Sequence, residues 1–411
     1  MNQKGYDLIV FGATSFVGRL VADYLLHHYG VGAELTWAIA GRSESRLESL
    51  RKDLGKAARD LPVIVADASD ETALRAMCDQ GRVIISTVGP YALFGEPLVK
   101  VCAETGTDYC DLTGEVQWLR KMIEKYQATA ESSGARIVNC CGFDSIPSDL
   151  GVYFLQQQAQ ERFGQSLTRV KMRVKAAKGE FSGGTVASLL NVVKEATANP
   201  ELRKELANPY SVCPPNHGFT ARQPNVKSAE YDRDFHAWTA PFVMAAINTR
   251  VVHRSNALVN KAYGSDFRYD EAVLTGRGLR GRGMALGLAG AMGVFMAGAA
   301  IKPTRWLLER FMLPKPGEGP SPEAQEKGFF DLRFHGETRD GESLKARVTG
   351  DRDPGYGSTS KMLGQAGVCL ALDKAGETPA GGFWTPATAM NGQLLERLET
   401  HSGLSFTVLA E

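Results

Sequence analysis

The sequence predicts an α/β protein with a doubly wound parallel sheet and a second, α+β domain. Apolar runs alternate with charged, helix-like segments through residues 1–146, and later runs show the apolar and polar alternation of strands with one wet face. At 411 residues the chain is long for one domain, and its formal charge of +1 provides no field to attract nucleic acid. We therefore expect two domains and no nucleic-acid partner.

The first domain is predicted over residues 1–146. It opens with YDLIVFG, a continuous apolar run of the kind that a buried parallel strand needs, and helical spacing of apolar residues follows it. Further runs are LTWAIAG (35–41), PVIVAD (62–67), RVIISTVG (82–89) and ARIVNCCG (135–142). Repetition of this strand and helix unit predicts a Rossmann-type sheet.

The first strand leads into a glycine-spaced turn in which Gly12 and Gly18 enclose ATSFV. Gly12 would permit the tight turn, and Gly18 would let the helix pack closely on the strand. Ser15 stands where a dinucleotide-binding loop often has its middle glycine, but the hydroxyls of Thr14 and Ser15 could donate hydrogen bonds to phosphate oxygens at the helix N-terminus. Taken alone, the loop is equally compatible with an ordinary strand, turn and helix.

The second strand ends in AGRS, without the acidic residue that usually binds the ribose of NAD. Arg42 could instead pair with a 2′-phosphate and Ser43 could add a donor, so NADP(H) is favoured over NAD(H). Asp67, at the end of the third strand, could accept a hydrogen bond from the adenine amino group or cap the next helix. The alternative for Arg42 is a surface arginine in a turn.

The fourth strand ends in STVGPYALFGEP, at the carboxyl edge where the nicotinamide half of a dinucleotide should lie. We expect Thr87, Val88 and Gly89 to form a wall for the reacting ring. The chain has no Tyr-x-x-x-Lys pair, HExxH or GxSxG motif, so the chemistry is expected to come from the cofactor itself.

A family resemblance rests on the motifs GATSFVG, AGRS, STVGPYALFGEPLVKVCAETGTDYCDLTGE, GFDSIPSDLG, PFVMAAINTRVVHRSNAL and GGFWTPATAMNGQLLERL. On these the chain resembles the saccharopine dehydrogenase-like oxidoreductases, most closely the branch that contains bacterial trans-acting enoyl reductases. The resemblance implies an NADP-binding Rossmann domain followed by an α+β domain. It carries over cofactor contacts for Gly12, Thr14, Ser15, Phe16, Val17, Arg42 and the turn from Thr87 to Gly89, but no catalytic residues.

The resemblance implies an NADPH-dependent reductase of a C=C bond in an apolar, lipid- or polyketide-like substrate, free or carrier-linked. Two alternatives stay open: a saccharopine-type C–N or keto reductase of a small metabolite, and a non-catalytic nucleotide-binding scaffold at a membrane. The proton-donor candidates are Tyr91, Tyr109 and Asp144; each tyrosine could instead fill a domain interface, and Asp144 could cap a helix. Asn248 and Arg250 could bind a polar substrate group or serve a helical surface or interdomain salt bridge.

The second domain is predicted over residues 147–380. TRVKMRVK (168–175) alternates as a strand, and FFDLRFHGETRDGESLKARVTG holds two strands around an Asp340-Gly341 hairpin signal, so we expect an antiparallel sheet. Helix-like segments at 184–197 and 358–373 could cover it. Residues 381–411 are expected to pack back near the first domain.

The segment MALGLAGAMGVFMAGAAI (284–301) has 18 residues without a charge, between basic flanks. It could be a buried or dimer-interface helix, a membrane-surface anchor or a spanning helix; its glycines and alanines favour a homodimer or peripheral membrane contact over a span. A Pro-rich surface loop is expected at 313–328, with a lid as one role. The seven scattered cysteines suggest neither a metal site nor disulfides and indicate a cytoplasmic protein, with the inner membrane face as its second location.

Overall fold

The computed structural model describes residues 4–32, 34–179, 183–311, 319–373 and 380–410. Its strands are β1 Tyr6–Phe11, β2 Trp37–Gly41, β3 Val63–Val65, β4 Gly81–Ser86, β5 Asp108–Asp111, β6 Arg136–Val138, β7 Arg169–Lys178, β8 Glu230–Asp232, β9 Ala237–Pro241, β10 Arg268–Gly276, β11 Phe329–Glu337, β12 Ser343–Gly350, β13 Gly382–Trp384 and β14 Leu404–Val408. Its helices are α1 Phe16–Tyr29, α2 Glu44–Asp53, α3 Glu71–Cys78, α4 Tyr91–Phe94, α5 Glu96–Thr105, α6 Val116–Ser133, α7 Ile146–Phe163, α8 Gly183–Ala198, α9 Pro200–Ala207, α10 Ala245–Leu258, α11 Gly278–Ala300, α12 Lys302–Phe311, α13 Pro322–Glu326, α14 Thr359–Leu372, α15 Pro386–Ala389 and α16 Asn391–His401.

The first sheet has the order β13-β6-β5-β4-β1-β2-β3, and all its pairs are parallel. Residues Leu8 to Phe11 of β1 are buried because helices cover both faces of the sheet, which explains the continuous apolar run. The strand order reverses between β1 and β4. In open α/β sheets the carboxyl ends of the strands at such a reversal form the ligand crevice, so the predicted doubly wound sheet is confirmed together with its binding edge.

Two strands of this sheet are absent from the sequence-based prediction. The strand β5 has only four residues, with an aspartate at each end, so it lacks an apolar run. Asp108 forms an ion pair with Arg136 on the neighbouring strand β6, and Asp111 is fully buried. The strand β13 comes from the C-terminal segment and pairs with β6, which places residues 382–384 inside the first sheet.

The second sheet has the order β14-β12-β11-β7-β10-β9-β8. The predicted hairpin of β11 and β12 is confirmed, and Gly341 in its turn has a φ of +93°. The sheet is mixed rather than antiparallel, because β7 and β10 run parallel. The last strand, β14, pairs with β12, so the C-terminal segment contributes an edge strand to each sheet.

The helices that cover the second sheet differ from those predicted. The helix α7 packs on β11, β12 and β14, and α10 packs on β10, whereas the predicted cover at 358–373 is α14, which lies against α1, β1, β4 and β5 of the first sheet. Small residues explain this placement, since an added Cβ at Gly367 would lie 2.5 Å from Ile85 Cδ1. The predicted cover at 184–197 is α8, which packs with α9, α11 and α12 instead.

The structure of residues 278–328 differs from two further predictions. The apolar segment falls in α11, which is mostly exposed, so the alternative of a helix buried in the monomer core is wrong. Of the predicted Pro-rich loop at 313–328, residues 313–318 lie outside the described residues, and residues 322–326 form the short helix α13 rather than a loop.

Candidate functional site

The turn between β1 and α1 has the tight geometry that its glycines predict. Gly12 has a φ of +83°, and an added Cβ there would lie 2.7 Å from Thr87 Oγ1. An added Cβ at Gly18 would lie 2.3 Å from the Gly12 carbonyl oxygen. A side chain is therefore excluded at both positions: Gly12 lies against the residues that follow β4, and Gly18 lies against the backbone of the turn itself.

Ser15 is the N-cap of α1. Its Oγ accepts a hydrogen bond from the Gly18 N–H at 2.9 Å and lies 3.0 Å from Thr87 Oγ1, which in turn donates toward the carbonyl oxygen of Gly12 at 3.0 Å. These bonds join the end of β4 to the helix start. The Ser15 hydroxyl thus orders the loop as a cap and is engaged within the protein, which opposes its predicted donation to a phosphate oxygen. The backbone N–H groups of Phe16 and Val17 have no acceptor among the described residues.

Free N–H groups at the start of a 14-residue helix form an anion site, because the helix dipole adds positive potential to the donors. The Thr14 hydroxyl makes no hydrogen bond within the described ranges, so it is also available to a phosphate oxygen. This arrangement fits a dinucleotide pyrophosphate at the carboxyl end of β1.

The end of β2 presents positive charge. Arg42 is exposed and has no ion pair in the described chain, and Ser43 caps α2 by accepting from the Arg46 N–H. Arg46, in the first turn of that helix, is a second exposed guanidinium at this edge, and no motif in the sequence marks it. Two arginines and a helix N-terminus can bind a 2′-phosphate.

Asp67 lies beside this cationic edge. Its carboxylate accepts from the backbone N–H and the hydroxyl of Ser69, and these bonds, together with the charge of Arg42, lower its pKa. The alternative that Asp67 caps the next helix is wrong, because Asp70 caps α3 by accepting from the N–H groups of residues 72 and 73. Its proposed contact with adenine stays a prediction.

Thr87, Val88 and Gly89 follow β4 directly, at the edge where the sequence predicts a wall for the reacting ring. Thr87 is held against β1, Val88 is half-buried and Gly89 is exposed. Tyr91, in contrast, is buried: its hydroxyl donates to the Ser86 carbonyl oxygen at 2.9 Å. Burial raises the pKa of Tyr91, so the geometry opposes its predicted role as proton donor.

Tyr109 is also buried. Its hydroxyl donates to Asp111 Oδ2 at 2.9 Å, and the same carboxylate accepts from the Asn139 side chain at 2.8 Å and from the backbone N–H groups of Thr113 and Cys140. Burial raises the pKa of Asp111 to about 6. This hydrogen-bond network ties the ends of β5 and β6 together, so the geometry favours a structural role for Tyr109 over the predicted proton transfer.

Asp144 differs from the two tyrosines. It lies in the loop between β6 and α7, is only partly buried, and makes no hydrogen bond in the part of the chain that the structure describes. A methyl group added at Gly114 would lie 3.9 Å from Asp144 Oδ2 and 3.7 Å from Met244 Cε, so the carboxyl faces the loop after β5 and the start of α10. Removal from water raises its pKa to about 7.

A carboxyl with this pKa is half protonated near neutral pH and can donate a proton. It does not cap α7, where Ser145 precedes the first turn and donates to Asn248 Oδ1. Of the three predicted donors, the structure therefore favours Asp144. It lies in the loop after β6, and β5 separates β6 from β4 in the sheet.

The surroundings of Asp144 are apolar. Met244 belongs to a buried cluster whose other members are Val116, Leu119, Cys140, Val212, Ile247 and Val251. Cys140 has a φ of +64°, a conformation that costs a non-glycine residue energy and that often marks a functional loop. No feature of the sequence signals this strained position.

Asn248 and Arg250 do not face a ligand. Asn248 is buried and donates to Glu271 Oε2 at 2.9 Å and to Ser148 Oγ at 3.2 Å, which joins α10 to α7 and β10. Arg250 donates to the carbonyl oxygens of Ala246 and Leu206 and forms no ion pair within the described residues. The side chains of both residues are buried and hydrogen-bonded within the protein, so the geometry opposes the substrate-binding alternative.

The second domain also reaches the glycine loop. The ring of Phe16 packs edge-on against Tyr356 at 4.8 Å, and an added Cβ at Gly319 would lie 2.4 Å from the Phe16 ring. The Tyr356 hydroxyl accepts from the Gly183 N–H at 2.9 Å. The Phe16 side chain therefore packs partly against the second domain, and its backbone N–H remains available to a cofactor.

One group of metal-ligating side chains lies far from this edge. Asp234, His335 and Glu337 place ligand atoms within 4.8 Å of one another on the second sheet. Lys171 Nζ lies 2.7 Å from Asp234 Oδ2, and Arg169 pairs with both carboxylates. Because two cations already balance the two carboxylates, the group needs no metal ion.

Comparisons with known proteins agree with this geometry. The family model of the saccharopine dehydrogenase NADP binding domain matches residues 8–138. A protein of Mycobacterium tuberculosis named putative trans-acting enoyl reductase is 42% identical over 404 residues, covering 96% of each chain. One from Mycobacterium bovis, named trans-acting enoyl reductase, is 38% identical over 408 residues and covers 96% of each chain.

The solved structures extend the likeness to the whole fold. The apo saccharopine dehydrogenase (L-Glu forming) of Saccharomyces cerevisiae aligns over 99% of this chain and 100% of its own, with a TM-score of 0.55 and 12% identity. The predicted arrangement of a Rossmann-type domain and an α+β domain is thereby confirmed.

Proposed function

The chain belongs to the trans-acting enoyl reductase branch of the saccharopine dehydrogenase-like oxidoreductases, and from that membership and its site we propose that it is an NADPH-dependent reductase of a C=C bond. Its relatives make it an oxidoreductase with a nicotinamide cofactor. What we propose is that the cofactor is NADPH, that the reacting bond is C=C and that the substrate is apolar. The observation that carries the proposal is the partly buried carboxyl of Asp144, which has no hydrogen-bond partner among the described residues and lies at the same sheet edge as the cofactor loop.

The residues present fit NADPH. The N–H groups of Phe16 and Val17 would hold the pyrophosphate, and the Thr87 to Gly89 turn would lie along the nicotinamide half. Arg42 and Arg46 would bind the 2′-phosphate, and no acidic residue at the end of β2 competes for the ribose. This charge distribution favours NADPH over NADH.

Reduction of a C=C bond adds a hydride to one carbon and a proton to the other. When bound, the reduced nicotinamide supplies the hydride. Asp144, with a pKa of about 7, would give its carboxyl proton to the second carbon and recover a proton from water. The apolar cluster around Met244 would exclude water from the reacting carbons and bind an apolar acyl chain, free or carrier-linked.

The test is the oxidation of NADPH, followed by its absorbance, with a medium-chain 2-enoyl thioester as acceptor. Turnover with the enoyl thioester, and none with the saturated thioester, supports the proposal. Turnover only with a keto acid plus an amine, or with a ketone, would replace it with a C–N or keto reductase. Cofactor binding without turnover on any acceptor would favour a non-catalytic scaffold.

A further inference from the structure

The helices α11 and α12 form an arm, residues 278–311, that the reductase site does not use. By length and composition α11 could cross a membrane, yet only 11% of its most apolar 18-residue stretch is buried. Large apolar side chains are exposed along the arm: Leu279, Met284, Leu286, Leu288, Val294, Met296, Trp306, Leu307 and Phe311. Contiguous exposed apolar surface of this kind marks a contact with lipid or with another protein.

The exposed side chains of α11 surround its axis. Successive helical residues are about 100° apart, so Met284, Leu286, Leu288, Val294 and Met296 point in directions that cover the whole circumference. A second helix could cover only one face of such a helix. A lipid phase can cover all of them, which favours lipid over a second copy of the chain.

Both ends of α11 are held on the folded body. Gly281 and Ala285 are buried near its start, where the helix packs on β9 and β10. Ala299, near its end, packs with Leu190 and Val193 of α8. Because a spanning helix needs its ends on opposite sides of the bilayer, this attachment favours a helix that lies in the membrane surface.

The charge around the arm is one-sided. Residues 272–308 contain five basic residues, Arg277, Arg280, Arg282, Lys302 and Arg305, and no Asp or Glu. That segment therefore carries a formal charge of +5, and since the whole chain carries +1, the rest of it carries −4. None of the five has an ion pair in the described ranges, and Arg282 lies over the ring of Trp238 at 5.4 Å.

We propose that the arm is a peripheral anchor for an anionic membrane surface. The middle of α11 would be immersed among the acyl chains just beneath the headgroups, where lipid can surround it, and the five basic residues near its ends would contact anionic headgroups. Trp306, beneath the guanidinium of Arg310 at 5.4 Å, would lie at headgroup level. This inference is independent of the reductase proposal, since binding is measured without cofactor or substrate.

Co-sedimentation with vesicles of phosphatidylcholine, with and without phosphatidylglycerol, tests the charge requirement. We expect binding to the anionic vesicles that falls as salt rises. The double variant Arg277→Gln/Arg280→Gln should bind them roughly 30-fold more weakly, from the attraction lost with two basic residues. A matched control, Arg59→Gln/Arg203→Gln, removes two exposed arginines elsewhere and should bind like the wild type. Equal binding by the two double variants would contradict the proposal.

Two substitutions in α11 separate lipid from a second copy. Val294, 74% exposed, becomes charged in Val294→Asp, which should abolish vesicle binding, whereas Leu93→Asp at a 61% exposed site outside the arm should not. An added Cβ at Gly290 meets nothing within 4 Å, so Gly290→Leu adds apolar surface and should strengthen vesicle binding several-fold.

The oligomeric state decides the remaining outcomes. A dimer that Gly290→Leu and Val294→Asp both dissociate, without vesicle binding by the wild type, would show that a second copy covers the arm and would overturn the proposal. Membrane-bound wild type that resists carbonate extraction would show a spanning helix and would overturn it as well. Thermal melts of each variant establish that the fold is retained.

Discussion

Replacing Asp144 with asparagine should make the protein more stable and less active. Burial raises the pKa of Asp144 from 3.8 to about 7. Because the pKa of Asp144 is higher in the folded than in the unfolded state, its contribution to the unfolding free energy is favourable below pH 4 and is lost as pH rises through about 7. At pH 8 the ionised Asp144 carboxylate therefore lowers the unfolding free energy of the wild type by up to about 4 kcal/mol, since the pKa difference is about three units and each unit is worth about 1.36 kcal/mol.

An asparagine side chain at this position would carry no charge at any pH, so the Asp144→Asn variant avoids this cost. We expect equal unfolding free energies near pH 4 and a difference that grows toward pH 8, where the Tm of a chain this long should rise by roughly 4–5 °C. The same change removes the proton donor. We expect enoyl-dependent NADPH oxidation to fall by roughly 10²–10³-fold and to lose its decline above pH 7.

Asp149 provides the matched control. Burial raises its pKa to about 6 as well, but its carboxylate accepts from Ser255 Oγ at 2.5 Å and from the Ala387 N–H at 2.8 Å. An amide cannot accept at both positions, so Asp149→Asn should not stabilise the protein. If Asp144→Asn is no more stable than wild type at pH 8, the carboxyl is not desolvated; if it is more stable but fully active, Asp144 is not the donor.

Three further predictions concern the cofactor edge. Arg42→Ala should weaken NADPH binding roughly 10-fold or more and leave NADH nearly unchanged, measured by titration of both cofactors; equal weakening would make Arg42 structural. Gly18→Ala should lower the unfolding free energy by about 1–3 kcal/mol in a denaturant titration, because its Cβ would lie 2.3 Å from the Gly12 carbonyl oxygen. The control Gly290→Ala adds a Cβ in open space and should leave the unfolding free energy unchanged or raise it. Asn139→Ala should cost about 1–3 kcal/mol by removing a donor to buried Asp111, and an unchanged chemical melt would show that the remaining donors suffice.

The sequence predicts the turn and the strand ends of the candidate cofactor edge because their signals are local. The turn at Gly12 and the strand ending at Arg42 each depend on residues that are neighbours in the chain. An apolar run is enough to locate a strand that is covered on both faces, and the order of such strands follows from their alternation with helices.

The donor candidates could not be ranked from the sequence, because burial and partners are properties of the assembled fold. Tyr91 begins α4, Tyr109 lies in β5 and Asp144 lies in the loop after β6. Only the structure shows two hydroxyls bonded inside the protein and one carboxyl without a partner among the described residues. The placement of α14 was missed for a similar reason. Its buried residues surround the helix, so no single face indicates which sheet it covers.

The contribution of the last 30 residues to both sheets has a consequence for biosynthesis. Residues 382–384 pair with 136–138, and residues 404–408 pair with 346–350. Until the last residues have been synthesised, the edges of β6 and β12 therefore stay unpaired. A premature stop codon near residue 380 would leave both edges unpaired permanently. Such a product retains every residue of the nucleotide loop but should aggregate, so a genetic lesion far from the active centre would remove the enzyme by loss of soluble protein.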